Sequence, residues 1–438
     1  MLVAVPRGCS SQSFAAAATF ALLGVALVVL VVGITPWRTL PAPPGGPVPV
    51  DIHRDFTAAQ MAREVAYHRQ LWPAVLGGTA AELLAALVLG FTPAGARLIC
   101  AVARPFGGRR WVRFILGTVA VTGVGRLAVL PFDVWRVHLQ RAQGLVVESW
   151  TGYAVDFAIE SGFQLLATGV GLGVLYGLMR SVRHWWWAPG AAIAAALVAV
   201  TSFVYPIVVE PAFTHLEPMP AGPLRDSLLA LARQDGVHIS GVEIADESAR
   251  TTAVNAYVSG IGSSRRIVIF DTTLRRLSPA QVRSIVAHEL GHAKQSDVAW
   301  GTGEAALGAA AAVCLLYLAL GSRWLLRRAG VSDPRDPQSV ALVLALVAAA
   351  GAVTLPPTLL VSRRIEARAD IHALNLTRDP ATLISLQQLI AVRNLADLNP
   401  PWPAVLFHAD HPTGPQRIAD ARTWAVLHGV PDTAPGNG

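Results

Sequence analysis

The chain contains seven apolar runs, which are separated by stretches of mixed polarity. A helix that crosses a bilayer needs about 20 predominantly apolar residues. Most of the runs approach that length, although the fourth and the sixth are short and their predicted ends are approximate. The pattern therefore predicts seven membrane-spanning helices, which we place at Phe14–Ile34, Ala74–Phe91, Phe114–Leu130, Phe163–Met179, Ala188–Val209, Ala305–Leu320 and Val340–Val361.

The polar stretch after the fifth run predicts a small β component. Val242–Ala245 and Ile267–Phe270 contain several β-branched residues, which favour strands. Asn255–Gly260 between them is also strand-like. The expected fold class is therefore mainly α: a polytopic helical membrane protein of about seven spans with a smaller α+β domain.

The composition agrees with a membrane protein. Charged residues make up 14% of the chain, against roughly 25% in ordinary globular domains. Hydrophobic residues make up 53%, so that much of the surface must face a lipid bilayer, and intrinsic disorder is excluded. The net charge of +7 does not indicate nucleic acid, because the arginines lie in short loops between apolar runs and form no basic stripe.

A helix-start signal stands ahead of the most informative motif. Ser278 is a favourable N-cap, Pro279 suits the first helical position, and Gln281 completes a capping box. The predicted helix then runs into the motif His288-Glu289-Leu290-Gly291-His292. Such a motif can also occur in a helix whose two histidines are merely solvated or packed in a core.

The spacing of this motif suits a zinc site. Residues four apart share a helical face, so His288 and His292 can bind one zinc ion. Glu289 is rotated by about 100° from His288, which places its carboxylate beside the metal, where it can take a proton from an activated water. We therefore predict Glu289 as the catalytic base.

A catalytic zinc site needs a third protein ligand. Glu366 and Asp370 follow the seventh run and share a helical face. We predict that Glu366 binds the metal and that Asp370 orients a ligand histidine. In the alternative interpretation, both acids only pair with Arg363, Arg364 or Arg368 on a solvated face. Weaker candidates for the third ligand are Asp297, Glu304, His408 and His411.

With two histidines and a glutamate as its predicted ligands, the α+β part is expected to be a zinc-metallopeptidase domain of the gluzincin type. We accordingly divide the chain into four predicted regions. These are an N-terminal membrane region with five spans (1–209), a catalytic segment with the strands and the motif helix (210–300), the sixth and seventh spans (301–361), and a C-terminal catalytic segment with the third ligand and a short disordered tail (362–438).

The chain resembles the type I CAAX prenyl proteases, the a-factor-converting family of integral-membrane zinc metallopeptidases. The motifs that carry the resemblance cover about Pro211–Ile418. The number of predicted spans extends the resemblance to most of the chain. Its motifs are Asn255-Ala256-Tyr257 with Gly260, Arg266–Thr272, His288–His292, Ser362-Arg363 with Glu366 and Asp370, His411-Pro412 with Arg417-Ile418, and Pro211 with Phe213. The chain departs from the family pattern in Leu139–Thr151, which keeps Gly144 but little else of an acidic-His-Gly-Phe-Asn string.

The resemblance implies a helical barrel around an intramembrane chamber, with one Zn²⁺ per chain at its wall. It implies that the strand with Asn255 and Tyr257 pairs with an extended substrate. It also implies that His411 and Arg417 bind substrate carbonyls or the developing oxyanion. In the alternative, His411 only forms a turn, and Arg417 caps a helix or pairs with Asp420. The expected partner is a peptide or protein, and lipidated or membrane-embedded substrates suit such a chamber.

The expected function is that of an integral-membrane zinc metalloendopeptidase. One alternative is a membrane-protein quality-control peptidase of the heat-shock type, which shares the zinc motif but has fewer spans. Another is a transporter or receptor with an incidental motif, which Glu82 and Arg126 within the predicted spans would suit. The sidedness stays open, because the two sets of loops hold twelve and ten arginines. In a bacterium the expected location is the plasma membrane.

Overall fold

The computed structural model describes residues 11–204, 215–248, 254–260 and 262–432. Within these residues seven helices are long and apolar enough to cross a membrane, which confirms the predicted number of spans. They are α1 Ser11–Ile34, α3 Ala58–Phe91, α5 Arg110–Ala142, α6 Trp150–Ser181, α7 Trp187–Val204, α11 Asp297–Leu320 and α13 Val340–Thr377. The predicted end of the fifth span at Val209 lies outside the described residues, as do Pro211 and Phe213.

Several of these helices extend well beyond the apolar runs that predicted them. α3 starts at Ala58 and passes through Pro73, and α5 passes through Pro131 to reach Ala142. The short fourth run lies inside the 32 residues of α6. A proline removes one backbone hydrogen bond, but a helix held by its neighbours can continue through it. A pattern that counts only apolar residues does not predict the polar ends of such helices.

A four-stranded sheet lies against the catalytic part of the chain. Its strands are β1 Leu216–Pro218, β2 Gly241–Ala245, β3 Ala256–Ser259 and β4 Arg266–Phe270, in the order β1-β2-β4-β3. β2 and β4 are parallel, whereas β1 and β3 are antiparallel to their neighbours. The three predicted strands are all present, and the three-residue β1 is too short for its pattern to predict. Among the described residues, β3 is an outer strand of the sheet.

The remaining helices pack around the sheet or connect the spans. They are α2 Ile52–Asp55, α4 Pro93–Ala103, α8 Pro223–Asp235, α9 Asp271–Arg276, α10 Pro279–Gln295, α12 Arg323–Arg328, α14 Pro380–Arg393, α15 Trp402–Phe407 and α16 Gly414–His428. One hydrophobic core lies between the sheet and α8, α10, α14 and α16, and includes Leu290 and Trp424. A second core lies between the spans and includes Ile99 and Leu342.

α13 belongs to both cores and therefore joins the membrane region to the catalytic part. Leu342 near its start packs among the spans, whereas Ala373 and Leu374 near its end pack with the sheet core. Because this helix is continuous, the seventh span carries Glu366 and Asp370 on the same rigid element. The predicted boundary between residues 361 and 362 falls inside this helix, and the division into four regions stays a prediction.

Candidate active site

Helix α10 carries the motif and starts at the predicted capping box. Ser278 accepts a hydrogen bond from the backbone N–H of Gln281, whose side chain accepts one from the backbone N–H of Ser278. Val286 and Leu290 are completely buried and hold one face of the helix against the hydrophobic core. The opposite face, about half a turn away, presents both motif histidines to α13.

The structure brings together the three residues that we predicted as metal ligands. The Nε2 atoms of His288 and His292 lie 3.1 Å apart. Glu366 places Oε2 3.1 Å from Nε2 of His288 and Oε1 3.5 Å from Nε2 of His292. Ligand atoms about 2.0–2.1 Å from a tetrahedral zinc ion lie about 3.3 Å from one another. The donor atoms therefore fit one zinc ion between them, although their role as ligands stays a prediction.

Each motif histidine has a carboxylate against its other ring nitrogen. Oδ1 of Asp370 lies 3.0 Å from Nδ1 of His288, and Oδ2 of Asp297 lies 2.8 Å from Nδ1 of His292. A carboxylate there keeps the proton on Nδ1 and leaves the lone pair of Nε2 for a metal. Asp370 thus stands where an orienting residue is needed. Asp297, which the sequence suggested only as a weaker third ligand, occupies the equivalent position on the second histidine.

Two arginines hold these orienting carboxylates in place. Arg417 donates from Nε to Oδ2 of Asp370 at 2.7 Å and from Nη2 to Oδ1 at 2.5 Å. Arg368 donates from Nη2 to Oδ1 of Asp297. A guanidinium that donates two bonds to one carboxylate sets the plane of that carboxylate. Arg417 therefore pairs with Asp370, whereas the alternative interpretation paired it with Asp420.

The interpretation in which the acids of α13 merely pair with neighbouring arginines does not match these contacts. Arg363 donates to the backbone carbonyl oxygens of Val405 and Ala409 at 3.0 and 2.5 Å. Arg368 binds Asp297, which lies on another helix. The carboxylate of Glu366 contacts the imidazole rings of His288, His292 and His411.

The weaker candidates for the third ligand have other surroundings. His408 lies 3.3 Å from the hydroxyl of Thr79, and Glu304 lies within the sixth span, on α11. His411 does reach the site, since its Nε2 lies 3.1 Å from Oε2 of Glu366. Its Nδ1 lies 2.8 Å from Asp410.

A glycine lets α10 and α13 approach closely enough for these contacts. A Cβ atom built on Gly291 would lie 3.1 Å from three atoms of His372 on α13. His372 in turn lies 3.0 Å from Asp235, and Lys294 on α10 donates to the same carboxylate at 2.7 Å. The side chain of Asp235 is 3% exposed. It contacts a lysine and a histidine from the two helices that carry the site.

A cavity of about 140 Å³ opens beside the predicted ligands. Its polar wall includes Asn255, His288, Glu289, Asp370, His411 and Arg417, and its apolar wall includes Leu383, Leu386 and Ile390 of α14. Burial raises the pKa of Glu289, although the nearby histidines act in the opposite sense. A carboxylate with a raised pKa is a better match for proton transfer near neutral pH.

The predicted substrate-binding residues take different positions around this cavity. Asn255 lines it, and the backbone carbonyl of Asn255 accepts hydrogen bonds from Phe270 and Thr273. The ring of Tyr257 packs edge-on against Phe270, 6.3 Å away. Tyr257 follows on the outer strand β3, where its backbone pairs with Val268 of β4.

Two histidines at the site have raised pKa values. Hydrogen bonds to Asp410 and Glu366 raise the pKa of His411 to about 10, against the effect of burial. Burial lowers the pKa of His288, but its bonds to Asp370 and Glu366 outweigh that effect and raise it to about 9. Without a metal the site therefore holds protons, which a bound metal must displace.

Sequence reasoning missed two contacts that position the site residues. Arg368 was considered only as a partner of its neighbours on α13, whereas it binds Asp297. Asp410 was not singled out, although it directly precedes His411 and lies against its ring. In the sequence, the signal for Asp297 was its position five residues after His292. In the structure Ser296 takes a left-handed conformation, and Asp297 contacts the ring of His292.

Comparison with known proteins adds to this geometry. Residues 218–425 match the model of Peptidase family M48. An uncharacterized metalloprotease of Bacillus subtilis, YhfN, is 25% identical over 72% of this chain and 74% of its own length. A CAAX prenyl protease 1 homolog of Oryza sativa is 30% identical over 52% of this chain and 54% of its own length. A protease HtpX homolog of Pyrococcus abyssi is 30% identical over 46% of this chain and 72% of its own length.

One solved structure resembles almost the whole chain. The crystal structure of Ste24p from S. mikatae superposes with a TM-score of 0.72 and covers 94% of this chain and 98% of that one, at 18% sequence identity. At that identity the likeness concerns the fold alone.

Proposed function

Since the chain belongs to peptidase family M48 and is a multi-pass membrane metallopeptidase, we propose that it hydrolyses peptide bonds with one zinc ion held by His288, His292 and Glu366. The observation that carries this proposal is the meeting of two Nε2 atoms and two carboxylate oxygens at 3.1–3.5 Å. These are donors that zinc prefers, and the separations suit its tetrahedral geometry.

The residues of the chain divide the catalytic work among them. A bound zinc ion would supply Lewis acidity toward water and the substrate carbonyl. Glu289 takes the proton from the attacking water and returns it to the leaving amine. His411, whose hydrogen bond to Asp410 raises its pKa, donates a hydrogen bond to the oxyanion. Arg417 holds Asp370, and through it the ring of His288.

The substrate chain is proposed to bind along β3. This strand is the last one in the order of the sheet, and Asn255 just before it lines the cavity with Glu289. Backbone hydrogen bonds to such an edge hold an extended peptide of almost any sequence. The apolar wall formed by α14 then accepts an apolar side chain beside the bond to be cleaved.

A second cavity, between the spans, suggests a lipidated or membrane-embedded substrate. It has a volume of about 630 Å³ and a mostly apolar lining from α3, α5, α6, α13 and α15. Arg126 at its wall contacts Glu160 at 3.5 Å and Ser161 at 3.1 Å. Processing of a prenylated peptide, as the names of the CAAX protease relatives describe, is the substrate class that we propose first.

A quality-control peptidase is the second candidate, and the likeness to the Pyrococcus HtpX homolog favours it. The seven spans and the nearly complete superposition on Ste24p favour the prenyl-protease type. Adding prenylated and unprenylated forms of one peptide to the purified protein distinguishes them, because a prenyl protease should cleave only the former efficiently.

Glu289→Gln tests the chemistry. The variant should bind as much zinc as the parent and lose roughly 10²–10⁴ in cleavage rate, which is the usual contribution of a general base. Glu217→Gln, an exposed change of the same kind on β1, is the matched control and should cleave like the parent. Equal rates for Glu289→Gln and the parent would exclude the proposed base.

The location is proposed to be the plasma membrane if the cell is bacterial. Membrane fractionation tests this proposal. Reporter fusions after Gly438 and between residues 332 and 338 would establish on which side the catalytic part lies.

A further inference from the structure

Three ionisable side chains lie together far from the motif helix, between α3 and the loop that follows α14. Glu64 and His68 are one turn apart on α3 and are 7% and 8% exposed. Asp397 comes from the loop between Arg393 and Trp402. One donor atom from each of the three residues lies within 4.8 Å of the others. Imidazole and carboxylate donors are the ones that zinc and manganese use.

The carboxylate of Asp397 is held from two directions. The indole Nε1–H of Trp72, one turn beyond His68 on α3, donates to its Oδ2 at 2.5 Å. The backbone N–H of Asn399 donates to its Oδ1 at 2.9 Å. Each oxygen accepts one of these bonds and keeps a further lone pair, so that the carboxylate is oriented while it can still bind a cation.

The ring of His68 is also oriented. Its Nδ1 lies 2.8 Å from Oε1 of Glu64 and 3.1 Å from the backbone carbonyl oxygen of the same residue. These contacts fix the ring, and they bring Nδ1 and Oε1 of Glu64 to a separation that two ligands of one ion can have.

The charges of this group call for a cation. Two carboxylates lie beside one imidazole in a buried place, and even a protonated ring would compensate only one of them, which makes the second costly unless a cation joins it. Arg63, the neighbour of Glu64 on α3, donates to Gln143 at 3.2 Å.

The surroundings have room for water as well. A cavity of about 40 Å³ borders Glu64 and is otherwise lined mainly by apolar residues, including Phe56, Leu395 and Leu398. A single water molecule needs about 10–15 Å³ of such space. Water in this cavity would contact Glu64.

We propose that Glu64, His68 and Asp397 form a second divalent-cation site, for zinc or manganese. An ion at this site joins the second span to the segment that carries α14, α15 and α16. Its role is to hold the cavity-lining helix α14 against the membrane region, and it takes no part in the hydrolysis.

Metal titration of the full chain in detergent tests the proposal. The purified, metal-free protein is titrated with zinc, and separately with manganese, and bound metal is counted by mass spectrometry. The parent should bind two equivalents, and Glu64→Gln and His68→Gln should each bind one. His288→Ala should also bind one, and that remaining equivalent should disappear when His68→Gln is added.

The matched control is His408→Gln, whose ring lies 6.2 Å from that of Trp72 but outside the group. It should bind as much metal as the parent. Equal metal content in Glu64→Gln, His68→Gln and the parent would overturn the proposal. The thermal midpoint adds a second measure, because excess metal should raise it in His288→Ala but not in the variant that also carries His68→Gln.

Discussion

Replacing Asp370 by asparagine keeps the shape of the side chain and removes a charge that serves two partners. The carboxylate is 4% exposed and accepts both bonds from Arg417. It also lies 3.0 Å from Nδ1 of His288. The change therefore affects both the orientation of a predicted ligand and the compensation of a nearly buried guanidinium.

The two effects have different expected magnitudes. Loss of the partner of a ligand histidine typically weakens metal binding by about 10–100-fold, which corresponds to about 1.4–2.7 kcal/mol. Breaking a buried ion pair from one side costs about 3–5 kcal/mol. Because Arg417 is 16% exposed, we expect the lower end of that range for Asp370→Asn in the metal-free protein.

Asp297→Asn is the informative comparison. It removes the equivalent partner of His292, so zinc binding should weaken to a similar degree. Asp297 and its partner Arg368 are 14% and 24% exposed, so the free energy of unfolding should fall by less than in Asp370→Asn. Adding Arg417→Met to Asp370→Asn removes the uncompensated charge and should restore part of the stability.

Competition with a chromophoric chelator measures the zinc affinity, and chemical unfolding of the metal-free protein measures the stability. Asp246→Asn, an exposed change after β2, is the control and should alter neither. Zinc binding by Asp370→Asn within about twofold of the parent, rather than the 10–100-fold loss expected for such a partner, would refute the orienting role.

Three further predictions concern the metal, the helix crossing and pH. Removing metal with a chelator should abolish cleavage, and added zinc should restore it in the parent but not in His292→Ala. Gly291→Ala should lower stability by about 1–3 kcal/mol and weaken zinc binding, because His372 stands 3.1 Å from the new methyl group; unchanged values for both would show that the two helices separate freely. Burial and the nearby charge of Asp370 raise the pKa of Asp420 to about 6, so the folded state holds a proton that the unfolded state loses, and stability falls as pH rises from about 4 to 6. Asp420→Asn should thus stabilise the protein on the order of 2 kcal/mol at pH 8 and little at about pH 4, and a similar gain at both values in thermal unfolding would contradict this.

The spans and the motif helix were predictable because their signals are local. A run of about 20 apolar residues is sufficient to indicate a span, and Ser278, Pro279 and Gln281 start α10 through contacts within one turn. The ends of the spans were less predictable. α3 and α5 continue past Pro73 and Pro131, since packing against neighbouring helices maintains them there.

The candidate site was predictable in its types of residue and less so in its pairings. Glu366 and Asp370 were singled out by their spacing and by the family resemblance. Asp297 and Glu366 have the same ligand chemistry, so the sequence alone could not decide which would face the Nε2 atoms and which would stand behind a ring.

Sequence by itself thus determined a seven-span metallopeptidase with a capped helix that presents two histidines on one face, because periodicity and capping act over a few residues. Tertiary structure alone decided that Glu366, 78 residues from His288, meets both rings. It also decided that Asp297 turns to Nδ1 of His292, and that Glu64 and His68 meet Asp397 across more than 300 residues. These contacts depend on how α3, α10 and α13 pack together, and the packing of distant helices is not encoded in the spacing of residues along the chain.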